Sequence, residues 1–240
     1  MSIKTTRLDR FISENCQINR KKVRLILAQK RVYVDGLLAS DIALIVDKFS
    51  LIVLDDKTLQ SNKAHYIMLN KPIGVVCATK DNKHKTVIDL LVGSYNKAIL
   101  ADLHIVGRLD LNTTGLVLLT NDSRWSEQLT SPEYKVKKHY RVTLAKPLTA
   151  DYISAFAKGM YFTYEKITTQ PVQLRILSDF QSEVILTEGR YHQIKRMFGR
   201  FHNKVVILHR YAIGQLKLDK RLLIGESRHL TPLEVINITG

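Results

Sequence analysis

Gly107-Arg108-Leu109-Asp110-Leu111-Asn112-Thr113-Thr114-Gly115 runs directly into Leu116-Val117-Leu118-Leu119. The second part is an unbroken apolar run of strand length, which predicts a strand buried on both faces. The first part sets an arginine, an aspartate and two threonines between glycines that permit tight backbone geometry. A carboxylate on a constrained loop beside a rigid sheet is positioned for chemistry. The same local sequence fits an Asx-turn or a helix cap equally well.

On either side of this run the pattern alternates between strand and helix. Tyr66-Ile67-Met68-Leu69 predicts a strand, Lys71-Pro72-Ile73-Gly74 a turn, and Val75-Val76-Cys77 a resumed strand. A short helix is expected over Thr86 to Val92, and further helices over Trp125 to Leu129, Asp151 to Lys158 and His192 to Phe201. Strands are expected at His139 to Leu144, Gln173 to Leu177, Glu183 to Leu186 and Val205 to Leu208. That mixture predicts an α+β domain with a mostly antiparallel sheet.

The N-terminal part has a different period. Leu8, Phe11 and Ile12 recur at helical spacing, and Asn19 is a natural N-cap for a second helix. Val23, Leu25, Ile26 and Leu27 would supply that helix's apolar face. Val32-Tyr33-Val34, Asp35-Gly36 and Leu37-Leu38 predict a hairpin, and Leu51 to Leu54 another strand. The polar stretch Asp55 to Lys63 reads as a linker. The expected division is therefore a small domain over 1–60 and a larger one over 61–240.

The 240 residues carry 37 Lys and Arg against 22 Asp and Glu, a formal charge of +15, with 45% hydrophobic residues. This is a globular composition with room for one or two cores. No apolar run approaches the roughly 18 residues of a membrane span. Residues 1–7 lack the apolar segment of a signal peptide. Cys16 and Cys77 are too few for a disulfide framework or a cysteine-rich zinc site. A cytoplasmic protein in a reducing compartment is expected, with no membrane partner.

The positive charge is grouped. Arg20 to Arg31, Lys135 to Lys146 and Arg190 to Arg210 contain no acid. Net charge alone fits a solvated surface, but three acid-free blocks favour a nucleic-acid surface. No phosphate loop, nucleophile elbow or His-Glu-x-x-His motif is present, and the eight histidines lack ligand spacing. No metal is expected. In Glu188-Gly189-Arg190-Tyr191-His192-Gln193-Ile194-Lys195-Arg196-Met197-Phe198, basic groups follow a strand and a glycine and open a helix. The arrangement suits an anion; alone, it fits a solvated basic face better.

Taken together and in order, four motifs resemble the RNA pseudouridine synthases. They are Asn70-Lys71-Pro72-x-Gly74; Gly107-Arg108-Leu109-Asp110-x-x-Thr113-Thr114-Gly115-Leu116; Lys138-x-Tyr140; and Gly189-Arg190-x-His192-Gln193-x-Lys195-Arg196. Phe156-Ala157-Lys158-Gly159, Leu208-His209-Arg210 and Leu230-Thr231-Pro232-Leu233-Glu234 extend the likeness to the RsuA branch, over about Tyr66 to Ile236. The N-terminal part resembles an S4 RNA-binding module through Arg7-Leu8-Asp9, Asn19-Arg20 and Val32-Tyr33-Val34-Asp35-Gly36. Asn19 stands where Ser is common. Lys30 stands where the module usually has Gly, so the turn before the hairpin depends on a lysine at positive φ.

The resemblance implies isomerisation of uridine to pseudouridine in 16S ribosomal RNA, with uridine 516 as target. The base leaves the sugar at nitrogen and rejoins through carbon, so no cofactor is implied. Asp110 becomes the essential carboxylate and Tyr140 the ring that stacks on the base. An ionised aspartate in a water-poor pocket needs a cation, because burial alone raises its pKa. Lys195 is assigned that part, with Arg196 as the alternative. Arg108, Arg190, His192 and Arg196 would contact RNA near the target; Arg7, Arg20, Lys21, Lys22 and Arg24 would hold it farther away. The implied partner is 16S RNA or a partly assembled small subunit, bound by a monomer. Two alternatives stay open: a synthase for large-subunit RNA, and a non-catalytic RNA-binding or assembly factor.

Overall fold

The computed structural model describes residues 5–239; Met1 to Lys4, the start of the segment read for a leader, lie outside them. The chain folds as two compact units. One runs through Ala64 and includes Asp122–Arg124; the other comprises His65–Asn121 and Trp125–Gly240.

The first unit contains β1 (Thr6–Arg7), α1 (Leu8–Cys16), α2 (Arg20–Ala28), β2 (Val32–Val34), β3 (Leu37–Leu38), β4 (Ile45–Val46), β5 (Ile52–Leu54) and β6 (Lys57–Gln60). The Asn19 side chain caps α2 by accepting the Lys22 N–H at 2.9 Å. Val23, Ile26 and Leu27 are buried, but Leu25 is 64% exposed and does not belong to the apolar face. At 100° per residue it points away from the stripe its neighbours form. Lys30 does adopt a positive φ of 59°, and the Asp35-Gly36 turn joins β2 to β3 with φ of 52° and 80°. The expected linker is mostly structured. Asp55 and Asp56, at φ of 48° and 61°, turn the chain into β6, which pairs with β5. Residues 61–65 lie outside any helix or strand.

The second unit is α+β. Its strands are β7 (Tyr66–Lys71), β8 (His104–Val106), β9 (Thr114–Thr120), β10 (Lys138–Leu144), β11 (Tyr161–Phe162), β12 (Ile167–Thr168), β13 (Gln173–Ser178), β14 (Gln181–Leu186), β15 (Val205–Ile213), β16 (Leu216–Lys217) and β17 (Ser227–His229). Its helices are α3 (Lys97–Asp102), α4 (Ser123–Thr130), α5 (Asp151–Lys158), α6 (Gln193–Gly199) and α7 (Pro232–Asn237). The main sheet has the order β13-β14-β10-β15-β9-β7-β17, with β8 and β16 attached beside it. Its strand pairings are antiparallel except that of β15 with β9. Val75 to Cys77 is not a strand; Val76 makes a single bridge to Thr86. The segment expected as a short helix holds only a 3-10 turn, Asp89–Leu91.

β9 explains why the sheet is covered twice. Val117 and Leu119 join Ile67 and Leu69 in a core with Tyr152, Phe156, Ile194, Met197 and Phe198 of α5 and α6. Leu116 and Leu118 join Met68 in a second core with Trp125 and Leu129 of α4. Successive side chains of a strand point to opposite faces, so an unbroken apolar run demands cover on both sides. Each such side chain contributes roughly 1.5–3 kcal/mol when taken from water.

At the C-terminal end a charge cluster ties β17 to α7. Arg228 donates to Asp219 at 2.9 Å and to Glu234 at 2.7 and 2.9 Å, while Glu234 completes a capping box with Thr231. Arg221, with Arg228 behind it, holds the Asp219 carboxyl down to about 2; Arg228 chiefly holds Glu234 down to about 2. Arg221 is 91% exposed and screened by water, whereas Arg228 is 29% exposed and the firmer partner. Carboxyls lowered by folding stabilise the native state above their unfolded pKa and lose that contribution as pH falls through the folded value. Stability should therefore be level above about pH 4.5 and fall towards pH 2. Arg228→Met should lower the melting temperature at pH 7 and flatten this acid limb; thermal melts across pH 2–7 check it.

Candidate active site

The loop before β9 is held at both shoulders. Arg210, 2% exposed, donates from Nε to the Leu116 carbonyl at 2.8 Å, from Nη2 to Gly107 at 3.0 Å and from Nη1 to Arg108 at 3.4 Å. Lys71, fully buried at the end of β7, donates from Nζ to the carbonyls of Thr113 at 2.8 Å, Pro72 at 2.9 Å and Leu111 at 3.3 Å. The Leu109 N–H donates to Cys77 Sγ at 3.2 Å, and the Leu109 side chain is anchored in the core. Asp110 is the one carboxylate on this clamped segment, and its side chain is 27% exposed. Burial, opposed by Cys77 and Asp110, draws the Lys71 ammonium below its ordinary range. Three backbone carbonyls take the place of water around it.

Lys71→Met keeps the length of the side chain but strands those carbonyls. Leaving buried acceptors unpaired costs about 1–3 kcal/mol each, less where the loop can relax or water can enter. A net loss of about 3 kcal/mol is expected. Thermal melts check this loss.

Facing the loop is α6. Ile194, Met197 and Phe198 are its buried face. One residue beyond Ile194 is a rotation of 100°, which turns Lys195 to the rim of that face and Arg196 farther round. Lys195 Nζ donates to Asp110 Oδ2 at 3.0 Å. Arg196 instead pairs with Glu165 through both nitrogens at 2.5 and 2.6 Å and lies 3.7 Å from the centre of the Phe162 ring. It is therefore neither the partner of Asp110 nor a free phosphate contact. His192 precedes α6 at a φ of 50°, stacks on the exposed Tyr191 at 3.9 Å, and brings Nε2 to 3.5 Å from Asp110 Oδ1. The sequence motif gives His192 to the RNA surface; it also stands beside the carboxylate.

Asp110, Lys195 and His192 open on a solvent-connected pocket, which Tyr140, Arg108, Arg190 and Thr113 also line. Tyr140 is 8% exposed, on the core side of β10. Arg108 is exposed. Arg190 is partly engaged, donating to the buried Glu188 at 2.8 Å. Glu188 also accepts from Gln193 at 2.7 Å and from the Gln170 N–H at 2.9 Å, which fixes the approach to α6. In the first unit, Arg20, Lys21, Lys22 and Arg24 are exposed on α2. Arg7 is less free, since it forks onto the buried Asp9 at 3.0 and 3.2 Å. Among the described residues no group of three His, Cys, Asp or Glu could hold a metal ion, and no helix is long and apolar enough to cross a membrane.

The comparisons with known proteins agree with this geometry. A family model described as RNA pseudouridylate synthase matches residues 65–199, spanning Asp110, Tyr140 and Lys195. The Pseudomonas aeruginosa ribosomal small subunit pseudouridine synthase A is 43% identical over 97% of this chain and 100% of its own. The Pasteurella multocida protein of the same name is 42% identical over 95% and 97%. A crystal structure of a pseudouridylate synthase superposes with a TM-score of 0.69 at 39% identity, covering 97% of this chain and 99% of that one. The chain thus belongs to the RNA pseudouridylate synthase family, in its RsuA branch, and is an enzyme that isomerises uridine to pseudouridine.

Proposed function

We propose that this enzyme converts uridine 516 of 16S ribosomal RNA to pseudouridine, using Asp110 as its catalytic carboxylate, without a cofactor. The observation that carries this reading is the Asp110–Lys195 pair at 3.0 Å in a pocket lined by Tyr140. The small-subunit substrate is supported by near-full-length identity to proteins named for that subunit.

In the reaction the bond between C1′ and uracil N1 breaks, one between C1′ and C5 forms, C5 loses its proton and N1 gains one. Atoms balance with no external reactant. Asp110 acts at the sugar–base linkage, and Lys195 keeps it charged and aimed. The target must leave its stack to reach the pocket, at a cost of a few kcal/mol. Stacking on Tyr140 and phosphate contacts from Arg108 and Arg190 offset that cost, with His192 closing one side of the pocket. Residues 1–60 form an S4-like RNA-binding domain whose α2 cations, Arg20, Lys21, Lys22 and Arg24, hold RNA beyond the target; residues 61–240 form the catalytic domain. The protein acts in the cytoplasm as a monomer, on 16S RNA or a partly assembled small subunit.

The test is pseudouridine mapping of ribosomal RNA from cells lacking the protein, rescued by wild type or Asp110→Asn. Loss of one 16S site, restored by wild type alone, is the expected result. Loss confined to large-subunit RNA would overturn the substrate, and no loss in either RNA would overturn the reading.

A further inference from the structure

The acid-free block Lys135 to Lys146 contributes only Tyr140 to the catalytic pocket. On β10, Tyr140 and Val142 face the core, so His139 and Arg141 point to the other side of the sheet. There they border an open groove with Lys135, Lys137, Tyr211 and Lys217. Lys135, Lys137, Arg141 and Lys217 are all exposed. The acid of this groove, Glu183, is already occupied, accepting from Arg175 at 3.1 Å and from the Tyr211 hydroxyl. Burial lowers the pKa of His139, so the groove's positive charge comes from lysine and arginine and persists at neutral pH.

The groove is linked to the catalytic site through shared lining residues. An intermediate depression shares Lys135 with the groove and shares Gly189 and Arg190 with the catalytic pocket. Its acids, Glu165 and Glu188, are paired with Arg196 and Arg190. Among the described residues that line this path, each carboxylate is engaged by a cation or a hydroxyl, while four cations stay open to solvent.

We propose that this path is a phosphate track: RNA flanking the target uridine leaves the catalytic pocket over Arg190, passes Lys135 and lies along Lys137, Arg141 and Lys217. The proposal rests on RNA being the substrate, and charge complementarity and the lining residues shared with the pocket name the occupant. Such a track would supply affinity and register but no base reading.

The experiment compares two 16S-derived RNAs, one confined to the target loop and one extended by flanking strand on both sides. Binding is titrated over a range of KCl, and conversion is measured on each RNA. The variant replaces Lys135, Lys137, Arg141 and Lys217 with Gln. On the long RNA its slope of log affinity against log salt should be shallower by roughly 0.7–0.9 for each phosphate no longer neutralised, about 3 for all four cations. On the short RNA its affinity and conversion rate should match wild type. A second variant, Lys137→Glu with Lys217→Glu, leaves Arg141 and Tyr211 in place and should weaken long-RNA binding at low salt by at least about tenfold. An unchanged slope on the long RNA would overturn the track and leave an acidic protein segment as occupant; equal losses on both RNAs would also overturn it. If wild type converts neither RNA, the uridine assignment fails, while the difference in slopes still decides the track.

Discussion

Asp110→Asn is expected to lower pseudouridine formation at least a thousandfold while leaving RNA affinity within about twofold of wild type. A thousandfold is about 4 kcal/mol of transition-state stabilisation at 1.36 kcal/mol per decade. Asparagine preserves the shape of the side chain and can still accept from Lys195, so loop and pocket should keep their form. What disappears is the charge that the proposed mechanism assigns to Asp110. Binding is expected to survive because the carboxylate is only partly exposed and opposes the RNA phosphates; removing it leaves Lys195 as an unbalanced cation in the pocket. Neighbouring cations sharpen the assignment. Lys195→Met should fall on turnover, because Asp110 loses its 3.0 Å partner. Arg196→Met should have a small effect, because its guanidinium is committed to Glu165 and Phe162. Single-turnover conversion and equilibrium binding for all three variants check the set. Full activity in Asp110→Asn, or equal losses in the two cation variants, would contradict the arrangement.

What was legible in the sequence followed from local pattern. The doubly buried β9, the capped α2, the Asp-Gly hairpin and α5 all arise from periodicity or turn chemistry within a few residues. Failures occurred where a short polar or apolar string is ambiguous. Asp55 to Lys63 looks like a linker because its Asp-Asp turn lacks glycine, yet both aspartates take positive φ and β6 follows. Val75 to Cys77 has strand composition but finds only the bridge to Thr86. The carboxylate, its lysine and the tyrosine belong to separate motifs, and the fold does gather them around one pocket. The supports of the site were not legible as supports. Lys71 reaches carbonyls on a loop some forty residues away, and Arg210 reaches the same loop from about a hundred residues downstream. The motifs contain both residues, but nothing local separates a buried clamp from a surface cation.

Gly115→Ala should cost about 4 kcal/mol of stability, because two independent penalties coincide at this residue. Gly115 has a φ of 106°, a conformation that costs an L residue roughly 1–3 kcal/mol. A Cβ there would also lie 2.2 Å from the Arg210 carbonyl oxygen, where β9 and β15 run side by side in the sheet's parallel register. Backbone cannot swing aside as a flexible side chain does, so the strands must part, at a further cost of about 1–3 kcal/mol. For a chain of this size the melting temperature should fall by about 10 °C. Gly93 supplies the control: its φ is 95°, but a Cβ there meets nothing within 4 Å. Gly93→Ala should carry the conformational penalty alone and lose about a third to a half as much stability. The same separation of strands would shift Arg210, whose guanidinium holds the carbonyls of Gly107 and Arg108. Gly115→Ala should therefore lose turnover even at temperatures where it is fully folded, and Gly93→Ala should not. Equal melting shifts for the two variants would mean that the strands absorb the methyl group, and that close approach at Gly115 is not what holds the carboxylate loop in place.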